Sequence, residues 1–258
     1  MMKLSWVVMT LAAVAGIASS SFAEESMDNK CYELRIYTAA PGKFDALHKR
    51  FRDHTCKLFE KHGMTNIGYW VPLDKSDERL FYILAYPDRA ARAKSWSEFA
   101  KDPEWLAAAK ASEADGKLVA KSESQFLHAT DYSPAIKPGV GTEPRVFELR
   151  TYTTTPNNLG HLNDRFRDHT ISLFSKHGME HFGYWLLDDD QKGSKDTLIY
   201  LLSHKSKDAA GESFKSFGGD PAWKAAREAS EKKAGGSLTT PDGVKSLFLT
   251  PTDYSPTK

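Results

Sequence analysis

Two short, matching segments carry the residue types best suited to chemistry. They are Tyr32-Glu33-Leu34-Arg35-Ile36-Tyr37 and Phe147-Glu148-Leu149-Arg150-Thr151-Tyr152. The period of a strand puts Glu33, Arg35 and Tyr37 on one face, and Glu148, Arg150 and Tyr152 on the equivalent face. A face packed under helices is expected to be apolar, so these polar faces are expected to look into the space between two sheets. Buried charges there are costly unless paired and hydrogen-bonded. The pairs can therefore serve as a structural ladder. Alternatively, they form an anion-binding floor in which each Arg is the fork for a carboxylate or phosphate.

Other candidates lie on neighbouring elements. His54 and His169 occupy matching Arg-Phe-Arg-Asp-His-Thr segments, at the margin of an apolar helical stripe. Such a His is a packing residue, a base or, with a cofactor, an axial ligand. Tyr82 and Tyr200 sit on strands and are candidate pocket aromatics. His62 and His177 precede helix-ending glycines, where positive charge is favourable. Metal ligation has little support. The His177-to-His181 spacing crosses Gly178, and no Glu-x-x-His pair occurs. No Gly-x-Gly-x-x-Gly, phosphate loop or Gly-x-Ser-x-Gly elbow is present. Cys31 and Cys56 are the two cysteines, and helical periodicity argues against a bridge between them.

The elements that must position these residues form a tandem repeat. Residues 31–70 match 146–185 at an offset of 115, with 22 of 40 positions identical. The offset grows to 118 and then 122, through Asp102-Pro103-Glu104-Trp105 over Asp220-Pro221-Ala222-Trp223 and Thr130-Asp131-Tyr132-Ser133-Pro134 over Thr252-Asp253-Tyr254-Ser255-Pro256. Duplication therefore gives two units, 30–134 and 145–256, joined by a Pro- and Gly-bearing linker over 135–144. Each reads as β-α-β-β-α-β, a ferredoxin-like unit. In the first, strands are predicted at 32–38, 67–71, 80–86 and 125–130. Helices are predicted over 43–62 and 88–101, with a further one after the Asp102-Pro103 cap. Two helices cover only one face of such a sheet. The other copy is the economical cover, so the two sheets are expected to pack face to face as an α+β barrel within one chain. A homodimer of such chains is also open.

The Tyr-Glu-Leu-Arg-x-Tyr strand resembles the NIPSNAP domain. So do Lys61-His62-Gly63, Gly68-Tyr69-Trp70 and the Asp102-Pro103 helix start, each with its counterpart in the second copy. The resemblance covers most of the chain and implies the dimeric α+β barrel superfamily. It supplies no settled reaction and no catalytic residues. Related barrels bind haem, which keeps haem as the alternative to no cofactor.

Composition bounds the remainder. The chain has 258 residues, with 35 Lys+Arg against 34 Asp+Glu, and no basic stripe, so no nucleic-acid partner is expected. Met1–Ala23 reads as a cleavable signal peptide ending in Ser21-Phe22-Ala23, and places the protein in a secreted or periplasmic setting with no membrane span after cleavage. The expected function is a binding or scaffold module with a small anionic or aromatic ligand between the sheets. The alternative is a small-molecule enzyme of monooxygenase or haem-barrel type.

Overall fold

In the computed structural model, residues 28–139, 143 and 145–258 are described. The expected export segment lies outside them. The first unit contains β1 (Cys31–Ala39), α1 (Phe44–Arg50), α2 (Cys56–Lys61), β2 (Thr65–Pro72), β3 (Arg79–Tyr86), α3 (Arg89–Phe99), α4 (Pro103–Ser112) and β4 (Val119–Ala129). The second repeats it as β5 (Val146–Thr154), α5 (Leu159–Arg165), α6 (Ile171–Lys176), β6 (Glu180–Leu187), β7 (Thr197–His204), α7 (Lys207–Gly219), α8 (Pro221–Ala234) and β8 (Thr239–Pro251). The closing strands begin several residues earlier than the alternation predicts, because Val119 and Thr239 already pair with the ends of β1 and β5.

All strand pairs are antiparallel. The order β1-β3-β2-β8-β5-β7-β6-β4 closes on itself as a barrel. The two units meet at two short seams. Trp70 to Pro72 faces Leu249 to Pro251, and Leu127 to Ala129 faces Trp185 to Leu187. Closure leaves one apolar interior fed by both copies, including Tyr32, Leu34, Trp70, Phe147, Leu149 and Trp185. Trp70 folds back over Gly68, where an added Cβ would meet its ring at 2.2 Å, so only glycine fits. Gly183 makes the same room for Trp185.

The helices lie outside the barrel and form a second layer with its outer face. Each long N-terminal helix is interrupted. Phe51–Thr55 and Phe166–Thr170 are five-residue π-helical turns, and in each the Thr hydroxyl donates to the carbonyl five residues back, Arg50 or Arg165. The extra residue turns Arg50 and Phe51 inward together and sends Arg52, Asp53 and His54 to solvent.

The repeated Thr-Asp-Tyr-Ser-Pro segments lock the units reciprocally. The tail of the second unit pairs with the first: Thr252 N donates to Tyr69 O (2.9 Å), and Tyr69 N donates to Ser255 Oγ (2.9 Å). The tail of the first unit does the same to the second, through Thr130 N to Tyr184 O (2.9 Å) and Tyr184 N to Ser133 Oγ (3.0 Å). Both cysteines are free thiols, Cys31 buried and Cys56 partly buried beside the core of the first unit.

Candidate functional site

The polar faces of β1 and β5 point away from the barrel interior. Glu33, Arg35 and Tyr37 lie beneath the helices of their own unit, and Glu148, Arg150 and Tyr152 beneath theirs. This corrects the expectation that they look into the space between sheets. The interior is closed on all sides by sheet and takes the apolar residues Tyr32, Leu34 and Ile36. The helix layer brings its own donors, so a charged strand face is tolerated there.

Glu33 shows how. It is fully buried. Arg92 on α3 grips it with two bonds, Nε to Oε2 (2.9 Å) and Nη2 to Oε1 (2.7 Å). Arg35 Nη1 (2.6 Å), Ser124 Oγ (2.6 Å), the Tyr86 hydroxyl (3.1 Å) and Trp96 Nε1 (3.2 Å) add donors. Burial alone would push its carboxyl up. The Arg92 bonds, the Arg35 charge and the Ser124 bond outweigh burial and hold it at about 2. Arg35 is then spent. Its Nε donates to the Tyr82 hydroxyl (2.8 Å) and its Nη2 to the Tyr37 hydroxyl (3.1 Å), while its guanidinium lies 4.4 Å from the Trp96 ring. With Glu33, Tyr82 and Tyr37 as partners, it is a positioning residue rather than an open anion fork.

Above this scaffold is a cavity of about 340 Å³ between sheet and helices, within the size range of small-molecule sites. Its walls are aromatic: Tyr37, Phe51, Phe59, Trp96, Phe99 and Trp105. Arg50, Glu113 and Thr55 supply polar groups. Arg50 is buried, pairs through Nη1 with Glu113 (2.9 Å) and lies over the Trp105 ring, yet its Nε has no partner. An unpaired buried donor costs about 1–3 kcal/mol. A hydrogen-bond acceptor arriving with a ligand removes that cost.

Of the sequence candidates in the first unit, Glu33, Arg35, Tyr37 and Tyr82 are brought together, but Tyr37 alone among them lines the cavity. His54 and His169 are exposed on the π-helical turns and belong to neither polar cluster, which corrects their placement at the stripe margin. His62 and His177 hold the next cap instead, each 2.7–2.8 Å from Asp102 or Asp220. Arg50 was legible in principle, since Arg50 and Arg165 match within the repeated Arg-Phe-Arg-Asp-His-Thr. Arg92 and Trp96 were not, because the second copy has Ala210 and Phe214 there.

In the second unit the same strand face is more sparsely satisfied. Glu148 accepts from Arg150 Nη1, Ser246 Oγ and, at 3.2 Å, His204 Nε2. Burial raises its carboxyl, and His204, Arg150 and Ser246 bring it below the ordinary value. Among the described residues no three His, Cys, Asp or Glu side chains gather as a metal-ligand set. No helix of the described residues is long and apolar enough to cross a membrane.

An eight-stranded barrel built from two ferredoxin-like halves, with a polar scaffold under each helix layer, defines an α+β barrel protein. The family model for NIPSNAP matches residues 32–134 and 147–256, and the chain belongs to the NIPSNAP family. Among solved structures, an anthrone oxidase-like protein is similar over 87% of this chain and 92% of its own, with TM-score 0.56 and 13% identity. A candidate monooxygenase from Lactobacillus acidophilus NCFM covers 86% and 94%, with TM-score 0.54 and 11% identity. These two likenesses concern the fold. A NIPSNAP family protein from Agrobacterium tumefaciens is 25% identical over 41% of this chain and 98% of its own, with TM-score 0.37. A search of curated proteins finds no sequence that matches the chain.

Proposed function

We propose that the protein is a binding module, exported by its N-terminal segment, whose first unit holds a small aromatic molecule beneath its helices. The observation that carries this reading is the 340 Å³ cavity walled by aromatic rings and bordered by a buried Arg50 with an unpartnered Nε. Planar ligands stack or pack edge-on against such walls, and an oxygen on the ligand satisfies Arg50. The ligand site thus lies within one unit, not between the sheets. The test is a titration with 2-naphthol followed by tryptophan fluorescence, since Trp96 and Trp105 border the cavity. Saturable quenching is expected. It weakens at least tenfold in Ala109→Phe, which fills the cavity where the second unit already tolerates Arg227. Quenching that never saturates, or that is equal in both proteins, contradicts the reading.

One observation favours a second reading, oxidation of the bound aromatic. The Tyr37 hydroxyl accepts from Arg35 and is free to donate its own proton to a ligand oxygen at the cavity wall. The names of the anthrone oxidase-like and monooxygenase neighbours agree with such chemistry. Oxygen uptake with anthrone that disappears in Tyr37→Phe supports it, and unchanged background uptake removes it.

A further inference from the structure

The cavity of the first unit has charged walls as well as aromatic ones, and the charges limit what can enter. Arg50, the last residue of α1, and Glu113, just past the end of α4, both line it. Arg50 Nη1 donates to Glu113 Oε1 at 2.9 Å, and Leu118 N reaches the same oxygen at 3.5 Å. Ser112 Oγ accepts from Nη1 at 3.4 Å. The guanidinium charge is therefore already answered, whereas its buried Nε donor is not. The two needs are separate. A ligand can bring an acceptor to Nε without bringing a charge.

Other polar groups on the walls do not change this. The Thr55 hydroxyl donates to Arg50 O at 3.2 Å. Trp96 Nε1 is held by the Tyr86 hydroxyl at 2.8 Å and by Glu33. Lys121 pairs with Glu123 at 2.9 Å and its side chain is 64% exposed, so it stands in solvent, where an ion pair adds little. A carboxylate brought to Arg50 Nε would share the cavity with the Glu113 carboxylate, and like charges in a partly dry site oppose each other. An ammonium would meet the Arg50 charge in the same way. A neutral acceptor meets neither penalty.

We infer that the ligand of this cavity is a planar aromatic ketone, its rings against the aromatic walls and its carbonyl oxygen accepting from Arg50 Nε. This names the ligand class of the aromatic site proposed above and rests on that reading. An aryl carbonyl is uncharged, is held near the ring plane by conjugation, and is an acceptor only, which matches a guanidinium that can only donate. A phenol offers an oxygen too, but it adds a proton that the site must also place.

The test is calorimetric titration of the full chain with three naphthalenes of matched shape. They are 2-acetylnaphthalene, 2-isopropenylnaphthalene, which lacks the acceptor, and 2-naphthoate, which adds a charge. The ketone is expected to bind about tenfold or more tightly than either of the others. In Arg50→Met its advantage over the hydrocarbon should vanish. Glu113→Gln separates charge from hydrogen bonding: 2-naphthoate should gain about tenfold or more, because it then supplies the missing counter-charge. Equal binding of ketone and hydrocarbon, 2-naphthoate as the tightest ligand of the unaltered protein, or 2-naphthoate affinity indifferent to Glu113→Gln would each overturn the inference while leaving aromatic binding standing. No binding by any of the three would remove the aromatic site itself, and this inference with it. The comparison on the unaltered protein is decisive whether or not either variant folds.

Discussion

A single carboxylate, Glu33, organises the polar scaffold of the first unit. Six donor contacts from four elements converge on it. Replacing it with Gln leaves Arg35 and Arg92 without their shared counter-charge, and removing one partner of a buried pair costs about 3–5 kcal/mol. Chemical denaturation should show that loss for Glu33→Gln and a smaller one for Glu148→Gln, which has fewer donors to strand. The pH dependence follows from the same group. Its carboxyl titrates at about 2 when folded against 4.5 ordinarily, so folding is favoured by the ionised form. That stabilisation is complete above the unfolded value and is lost as pH falls from about 4.5 through 2. Circular dichroism across that window should reveal a component absent from Glu33→Gln. The Glu-Arg-Tyr grouping was readable from strand periodicity, and its costliness as a buried pair followed from charge. Its direction was not. The assumption that a helix-covered face is apolar overlooked the donors a helix can bring, and Arg92 and Trp96 leave no repeat signal because Ala210 and Phe214 replace them.

At the scale of the element, the π-helical turn decides what the cavity contains. An uninterrupted α-helix over 43–62 cannot turn both Arg50 and Phe51 inward while keeping Arg52 to His54 outward. One inserted residue does this, and such turns recur at functional sites. Deleting the exposed Asp53 should restore a regular helix and rotate Arg50 out of the cavity. Helical ellipticity is then expected to be retained while 2-naphthol affinity falls at least tenfold. Unchanged affinity would show that the turn is not what places Arg50. The turn escaped the sequence because a hydrophobic wheel of 3.6 residues has no place for a five-residue turn. That wheel also misplaced His54 and His169. The two helix caps, by contrast, were legible at Asp102-Pro103 and Asp220-Pro221, where the Asp side chains accept from Glu104 N and Ala222 N.

The whole molecule is a duplicated unit that cannot bury its inner face alone. Its tandem α+β architecture was legible from the repeat, and the need for a second sheet followed from the two-helix cover. The reciprocal tails were visible as a repeated Thr-Asp-Tyr-Ser-Pro, but their role was not, since their partners lie in the opposite unit. Tyr254 stacks on Phe51 at 6.3 Å and Tyr132 on Phe166 at 6.3 Å, and each tail adds a bidentate pair, Arg52–Asp253 and Arg167–Asp131. Truncation after Pro251 should therefore loosen the first unit. A fall in melting temperature of several degrees, with hydrogen exchange accelerated around Ile67 and Tyr69, is the expected outcome. Uniform acceleration in both units would argue against the crossed arrangement.

Duplication has also let the copies diverge. The first unit pairs Arg50 with Glu113 beneath an aromatic cavity, whereas Arg227 diverts Glu231 from Arg165 in the second. On this reading one chain carries one aromatic site, in its first unit. Calorimetric titration of the protein with 2-naphthol measures this directly. One molecule is expected to bind per chain, with the heat lost in Ala109→Phe and retained in Arg227→Ala. Two equivalent sites per chain, or one site undisturbed by Ala109→Phe, would contradict it.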